Sequence, residues 1–391
     1  MNPPAAVLGA AFLFNLGQGV LRPALPLYLQ QVFAANYRMV TLIPVVFGAG
    51  KWIASLPAGY LLDRVGRAPL MVAGLLLIAS IDLASAVTPA YGAFLGLRGL
   101  GGVGWAMFGT VALTTVIAHP GGQRRGRAVS LLLLCETLGL LLGSTAGGVL
   151  YTHAGVASPF VFEAACMVIA AVAVAWPAAV PAPRPRGPGA PGDRARLRSV
   201  LAVPGVGVMS LASGALTSIQ TGIMVFLFPL YLAEHAQLGA EAVGYLVSLT
   251  VLGRLLALWW GGGLSDRRGR TAVLVPGLLG YAALLGCLGF ISRPVTLGLW
   301  SLLMGAAAGI VAAIPAAVIG DRVPAPLQGV AIGWLRTVTD TGMIAGPLVF
   351  GALADAIHLS APFLLAAALL AVIAWRTRRT LTLDVRPAGV A

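Results

Sequence analysis

Apolar residues fill this chain in runs of 20 or so positions, and polar residues collect in short joints between the runs. A helical run of about 20 residues crosses about 30 Å of hydrocarbon. Twelve such runs follow one another, near 6–31, 39–63, 68–88, 90–118, 125–152, 158–177, 204–233, 241–264, 271–291, 294–319, 327–354 and 360–376. The pattern predicts an all-α membrane protein with twelve transmembrane helices. The first run follows no charged segment and precedes no small-residue cleavage site, so it is expected to be a spanning helix and not a removable signal.

Composition agrees: 59% of residues are hydrophobic and 9% charged, about a third of the charge of a soluble domain. The formal net charge of +13 does not point to nucleic acid, because the basic residues sit in alternate joints. Arg64 and Arg67, Arg124 to Arg127, Arg184 to Arg198, Arg267 to Arg270 and Arg376 to Arg379 all fall on one side. The excess of arginine makes that side cytoplasmic and puts both termini there, in a multi-pass protein of the cell (inner or plasma) membrane. Cys135, Cys166 and Cys287 stand singly in apolar runs, which excludes a disulfide framework. His119, His153, His235 and His358 lie at run ends, too dispersed for a metal site or a triad. No enzyme activity and no cofactor is expected.

The second half repeats the first at an offset of 203. Pro26-Leu27-Tyr28-Leu29 returns as Pro229-Leu230-Tyr231-Leu232, and Gly74-Leu75-Leu76 as Gly277-Leu278-Leu279. Gly59-x-Leu61-x-Asp63-Arg64-x-Gly66-Arg67 returns as Gly262-x-Leu264-x-Asp266-Arg267-x-Gly269-Arg270. One offset held along the chain indicates duplication, hence two pseudo-symmetric six-helix bundles, 1–176 and 204–391. Parallel repeats of this kind are expected to hold a solute near mid-bilayer between them. The stretch 177–203, rich in Pro, Gly, Ala and Arg, reads as a cytoplasmic linker whose arginines face anionic headgroups.

The Gly59 to Arg67 joint and its second copy resemble the hallmark loop of the major facilitator superfamily, most like its twelve-helix drug:proton antiporter branch. The resemblance implies a gate: the glycines permit a tight turn, and Asp63, Arg64, Arg67, Asp266, Arg267 and Arg270 form pairs that hold the cytoplasmic side in one state. Arg98-x-x-Gly101-Gly102-x-Gly104 is similar to a second family motif whose arginine accompanies proton coupling. Gly139-x-x-x-Gly143-Ser144-x-x-Gly147-Gly148 is similar to the antiporter motif, with Ser144 where the family has Pro; the proline stands in the second copy, Gly342-x-x-x-Gly346-Pro347. These small residues equally serve close helix packing.

Charges inside apolar runs are costly and mark function by default. Lys51, the single lysine beside 24 arginines, lies about 18 Å along a helix from Asp63, and its repeat partner is Arg254. Both are candidates to contact solute or to pair with an acid. Glu136 and Asp340, mid-run, are candidates for proton coupling together with Arg98 and Arg336, although Arg336 and Asp340 are spaced for an intrahelical pair. Asp82 is intramembrane but on a helix expected to be peripheral, and Glu163 is expected at the outer interface. Asn15, Gln18 and Arg22 share one face of the first run, and Ser210, Ser213, Thr217 and Gln220 share one face of the seventh. In the family these helices line the cavity, so the two stripes, with Trp105 and Phe108, are the expected solute contacts. The chain is thus expected to be a monomeric alternating-access carrier exporting small amphiphilic or drug-like molecules against protons. Uptake or exchange of a small anion through Lys51 and the arginines is the alternative, and a non-transporting sensor of the same fold a further one.

Overall fold

The computed structural model describes residues 5–117, 125–175, 198–291, 293–324 and 327–382. Among them twelve helices follow in order: α1 (Ala5–Phe33), α2 (Tyr37–Val65), α3 (Arg67–Val87), α4 (Tyr91–Ile117), α5 (Arg125–His153), α6 (Ser158–Ala175), α7 (Val206–Glu234), α8 (Ala240–Arg268), α9 (Arg270–Cys287), α10 (Pro294–Ala312 and Ile314–Arg322), α11 (Gln328–Ala356) and α12 (Ala361–Thr382). Among the described residues, ten stretches are long and apolar enough to cross a membrane. Helices are the expected solution, since an open chain in hydrocarbon satisfies its backbone hydrogen bonds only within the segment.

Close packing divides the chain into two units, Met1–Gly187 with Val225–Ser248, and Pro188–Met224 with Leu249–Ala391. In the first, Val7, Phe14, Leu75, Phe108 and Met167 form one core, and Tyr28, Phe94, Phe160, Phe226 and Leu230 belong to another. The dividing line crosses α7 inside a π-wound segment, Ile219–Leu227, that separates Val206–Ser218 from Phe228–Glu234. The repeat-related stretch of α1, 16–24, is ordinary α-helix in spite of Pro23 and Pro26 in that helix.

The duplication is visible where helices touch. A Cβ on Gly139 or Gly143 would lie 2.4 or 2.2 Å from the Phe12 or Leu16 carbonyl oxygen of α1, and one on Gly147 would lie 2.1 Å from that of Val20. These positions, one turn apart, make a seam in which backbone meets backbone. The second unit repeats it: a Cβ on Gly342 would stand 2.3 Å from the Gly214 carbonyl oxygen of α7, and one on Gly346 2.4 Å from Ser218 Cβ. Pro347 follows at once, and its backbone packs near Gly222 of α7. A second seam joins α2 to α4 at Gly50 and Gly102 and recurs between α8 and α10 at Gly253 and Gly305, again offset by 203. Gly148 faces Ala240 and Gly244 at the start of α8 instead of α1.

Candidate functional site

Gln18 and Arg22 are half-buried on α1, and Asn15, also half-buried, donates to the Ala11 carbonyl of its own helix at 2.9 Å. Gln18 reaches away from its helix: its Nε2 donates at 2.5 Å to Oε1 of Glu163 on α6. Glu163 is fully buried within the protein; it lies five residues into α6, packed against Gly17, where α1 has no side chain to exclude it.

Asp82, on the helix expected to be peripheral, faces the interior of the first unit. It is 1% exposed, and its Oδ1 accepts from Arg98 Nη2 of α4 at 2.7 Å. The same nitrogen donates to Ser85 Oγ at 2.7 Å, and the guanidinium sits 5.4 Å from the Phe94 ring and 5.5 Å from the Phe160 ring. The arginine is thus held by one carboxylate, one hydroxyl and two aromatic faces, which repay part of the cost of burying it. The Glu163 carboxyl interacts with that of Asp82 across the α3 and α6 contact, yet among the described residues neither Asp82 Oδ2 nor Glu163 Oε2 meets a donor. One cation therefore faces two acids.

Lys51, half-buried on α2, places Nζ 4.1 Å from the centroid of the Trp105 ring. Phe108, one turn on, is 2% exposed and stacks on Phe14 at 4.7 Å, so it is core packing rather than a surface that solute could touch. Trp105→Leu is expected to lower stability by about 0.5–2 kcal/mol through loss of the cation–π contact, with Trp105→Phe intermediate, as read from thermal unfolding of the purified protein.

In the second unit Arg254 is half-buried and within electrostatic range of the buried Tyr281, and Gln220 is half-buried in the π segment. Ser213 of α7 and Thr339 of α11 are hydrogen-bonded at 3.1 Å. Arg336 is exposed and forms no ion pair with the half-buried Asp340 among the described residues, so the intrahelical pair allowed by their spacing is not made. Glu136 is half-buried on α5.

At the repeated joints, Gly66 has φ +92° and ψ 170°, and Gly269 has φ +90° and ψ 143°, a region that only glycine occupies without strain. Arg67 is buried, whereas Arg267 is exposed. Arg270 Nη1 donates to Ser265 Oγ at 2.8 Å and its Nε to Asp321 at 3.1 Å, tying the joint to the end of α10. The side chains of Asp63, Arg64 and Asp266, and Gly59 and Gly262, lie outside the described residues. Nothing lies within 4 Å of a Cβ built on Gly269, so Gly269→Ala isolates backbone strain; a loss of about 1–3 kcal/mol is expected in thermal unfolding, against little change for Gly239→Ala, which is equally open and has no positive φ.

A sequence model described as Major Facilitator Superfamily matches residues 7–239 and 210–388. The chain belongs to that superfamily. Among similar superfamily proteins, a "Multidrug resistance protein MdtG" of Proteus mirabilis is 36% identical over 152 residues, 38% of this chain and 37% of that protein. The match therefore spans little more than a third of that relative's length. A protein of the same name from Citrobacter koseri is 24% identical over 397 residues, covering 97% of this chain and 95% of its own. In fold, the chain is similar to the crystal structure of a point mutant of the nucleoside transporter NupG, with a TM-score of 0.81 at 13% identity, covering 97% and 100% of the two chains.

Within this superfamily member one further group of polar contacts escapes a reading by motif. Glu234, at the end of α7, accepts from Gln30 Nε2 and from Tyr37 Oη. Tyr151 Oη donates to Gln31 Oε1 at 2.5 Å, Thr145 Oγ1 to Ser248 Oγ at 2.8 Å, and His153 Nε2 stands 3.4 Å from Glu241. All belong to the first unit. The signal was the acidic pair Glu234 and Glu241 in a chain whose acids total 12.

Proposed function

We propose that this membrane transporter exports small amphiphilic or drug-like molecules in exchange for protons, by alternating access. The observation that carries the reading is the buried cluster of Arg98, Asp82 and Glu163, joined through Gln18 to the polar face of α1. A titratable group linked to a candidate solute face is what coupling requires, since a proton moves a solute only if the two occupancies share free energy. The multidrug resistance names of the relatives support the substrate class. In this reading Asn15, Gln18, Arg22, Lys51, Trp105, Gln220 and Arg254 contact solute, Glu136 and Asp340 are further acids open to protons, and the Gly66 and Gly269 joints gate the cytoplasmic ends. The two halves, 1–176 and 204–391, work as one monomer with both termini in the cytoplasm.

A second reading is favoured by one feature: Lys51 and Arg254 set a cation at equivalent positions of α2 and α8, which suits a small organic anion. Internal pH in proteoliposomes separates the two. Proton movement evoked by ethidium supports export of amphiphilic cations. A response to organic anions alone, lost in Lys51→Ala, replaces that reading with anion transport.

A further inference from the structure

We propose that the coupling proton resides on Glu163, shared with Asp82, at a site inside the first unit formed by α1, α3, α4 and α6. The proposal rests on the exporter reading and assigns its proton to a residue that no motif marks.

Glu163 and Asp82 are 0% and 1% exposed, and the cation that faces them is Arg98. Among the described residues, the groups that face Glu163 are Gln18 from α1, Asp82 from α3, Arg98 from α4 and the Cys166 thiol on α6 itself. Tyr28 of α1 lies beside the cluster, its Oη donating to the Ser85 carbonyl oxygen at 3.4 Å. An unpaired carboxylate in such a place is expensive, so the second acid holds a proton when the cluster is closed. Arg98 chooses between them: its short contact is with Asp82, which leaves the proton to Glu163. That proton also answers the orphan oxygens, since a protonated Glu163 Oε2 is the donor that Asp82 Oδ2 lacks.

Gln18 makes the site responsive. It is half-buried on the α1 face with Asn15 and Arg22, while its amide holds Glu163 Oε1. While the Gln18 amide stays on Glu163 it favours the carboxylate, and hydration of the space lets the carboxyl release its proton to water. The carboxyl becomes a carboxylate, the cluster goes from neutral to one net negative charge, and water carries the proton away. Re-protonation reverses each step.

The test uses the full chain in liposomes and two readouts. Infrared spectra are recorded across pH for wild type, Glu163→Gln and Asp82→Asn. A carboxylic-acid C=O band that disappears as pH rises, and is missing from Glu163→Gln, is expected. In Asp82→Asn, Arg98 is free to neutralise Glu163, so the band should already be absent at neutral pH. A band that ignores pH, or survives in Glu163→Gln, overturns the assignment, as does a band that persists in Asp82→Asn. In the same vesicles, a pH gradient should drive ethidium uphill in wild type, while Glu163→Gln should move it only downhill. Equal uphill transport by both overturns the coupling role. If the band titrates as expected but wild type moves no ethidium under a pH gradient, the exporter reading falls and a proton site remains.

Discussion

Gly143→Leu should abolish the folded protein, whereas Gly9→Ala on the same pair of helices should be silent. A Cβ at Gly143 would lie 2.2 Å from the Leu16 carbonyl oxygen and 2.9 Å from Gly19 Cα, so the first atom of any side chain meets backbone, which cannot rotate aside. Around Gly9 nothing lies within 4 Å. Overpacking a well-filled contact costs about 1–3 kcal/mol when neighbouring side chains can move, and more when they cannot. With a marginal total of about 5–15 kcal/mol, Gly143→Leu is expected to remove most of it. The yield of monodisperse protein and its melting temperature measure the effect. Gly346→Leu should reproduce it in the second unit, where the obstacle is Ser218.

Arg98→Met should be the other large effect, and its size should depend on whether Asp82 is still present. Removing the arginine leaves Asp82 without its 2.7 Å partner in a site that water does not reach. Breaking a buried pair from one side costs about 3–5 kcal/mol, while replacing both partners with apolar residues is often close to neutral. The Arg98→Met, Asp82→Leu double variant is therefore expected to recover much of the lost stability, and a double-mutant cycle by thermal or denaturant unfolding gives the coupling. The recovered double variant should still not couple protons to transport, since Glu163 has lost both groups that select its charge. A stable single Arg98→Met variant would contradict the buried-pair account.

Motif and repeat made much of this architecture readable in advance, because they report on backbone. The 203 offset survives as matched glycine seams and as two joint glycines at φ near +90°. Arg98 was legible for the same reason, standing among glycines that admit α2. That Asp82 and Glu163 both face the protein interior was not legible, because sequence gives depth along a helix but not the direction a residue faces. Depth alone was a usable signal. Asp82 lies five residues before the end of α3, Arg98 seven after the start of α4 and Glu163 five after the start of α6, all about 8–10 Å from the same side. Three ionisable groups at one level of adjacent antiparallel helices invite pairing. Phe108 failed in the opposite sense: an aromatic near a polar stripe reads equally as lining or as core, and Phe14 decides for core. The π winding of α7 had no sequence cue, since no residue is inserted relative to α1.

The glycine seams and the π segment have opposite mechanical characters. Where two backbones touch along several turns, as α5 does on α1 and α11 on α7, the pair behaves as a beam: bending one rod stretches contacts along the other, and no side chain is present to absorb the misfit. A π turn is a soft spot, its hydrogen bonds reaching one residue further than an α-helix prefers. In α7 the beam on Gly214 and Ser218 runs on to Gly222, inside the soft segment that begins at Ile219. The stiff contact and the soft winding therefore overlap across residues 219–222, and Gln220 sits inside that overlap.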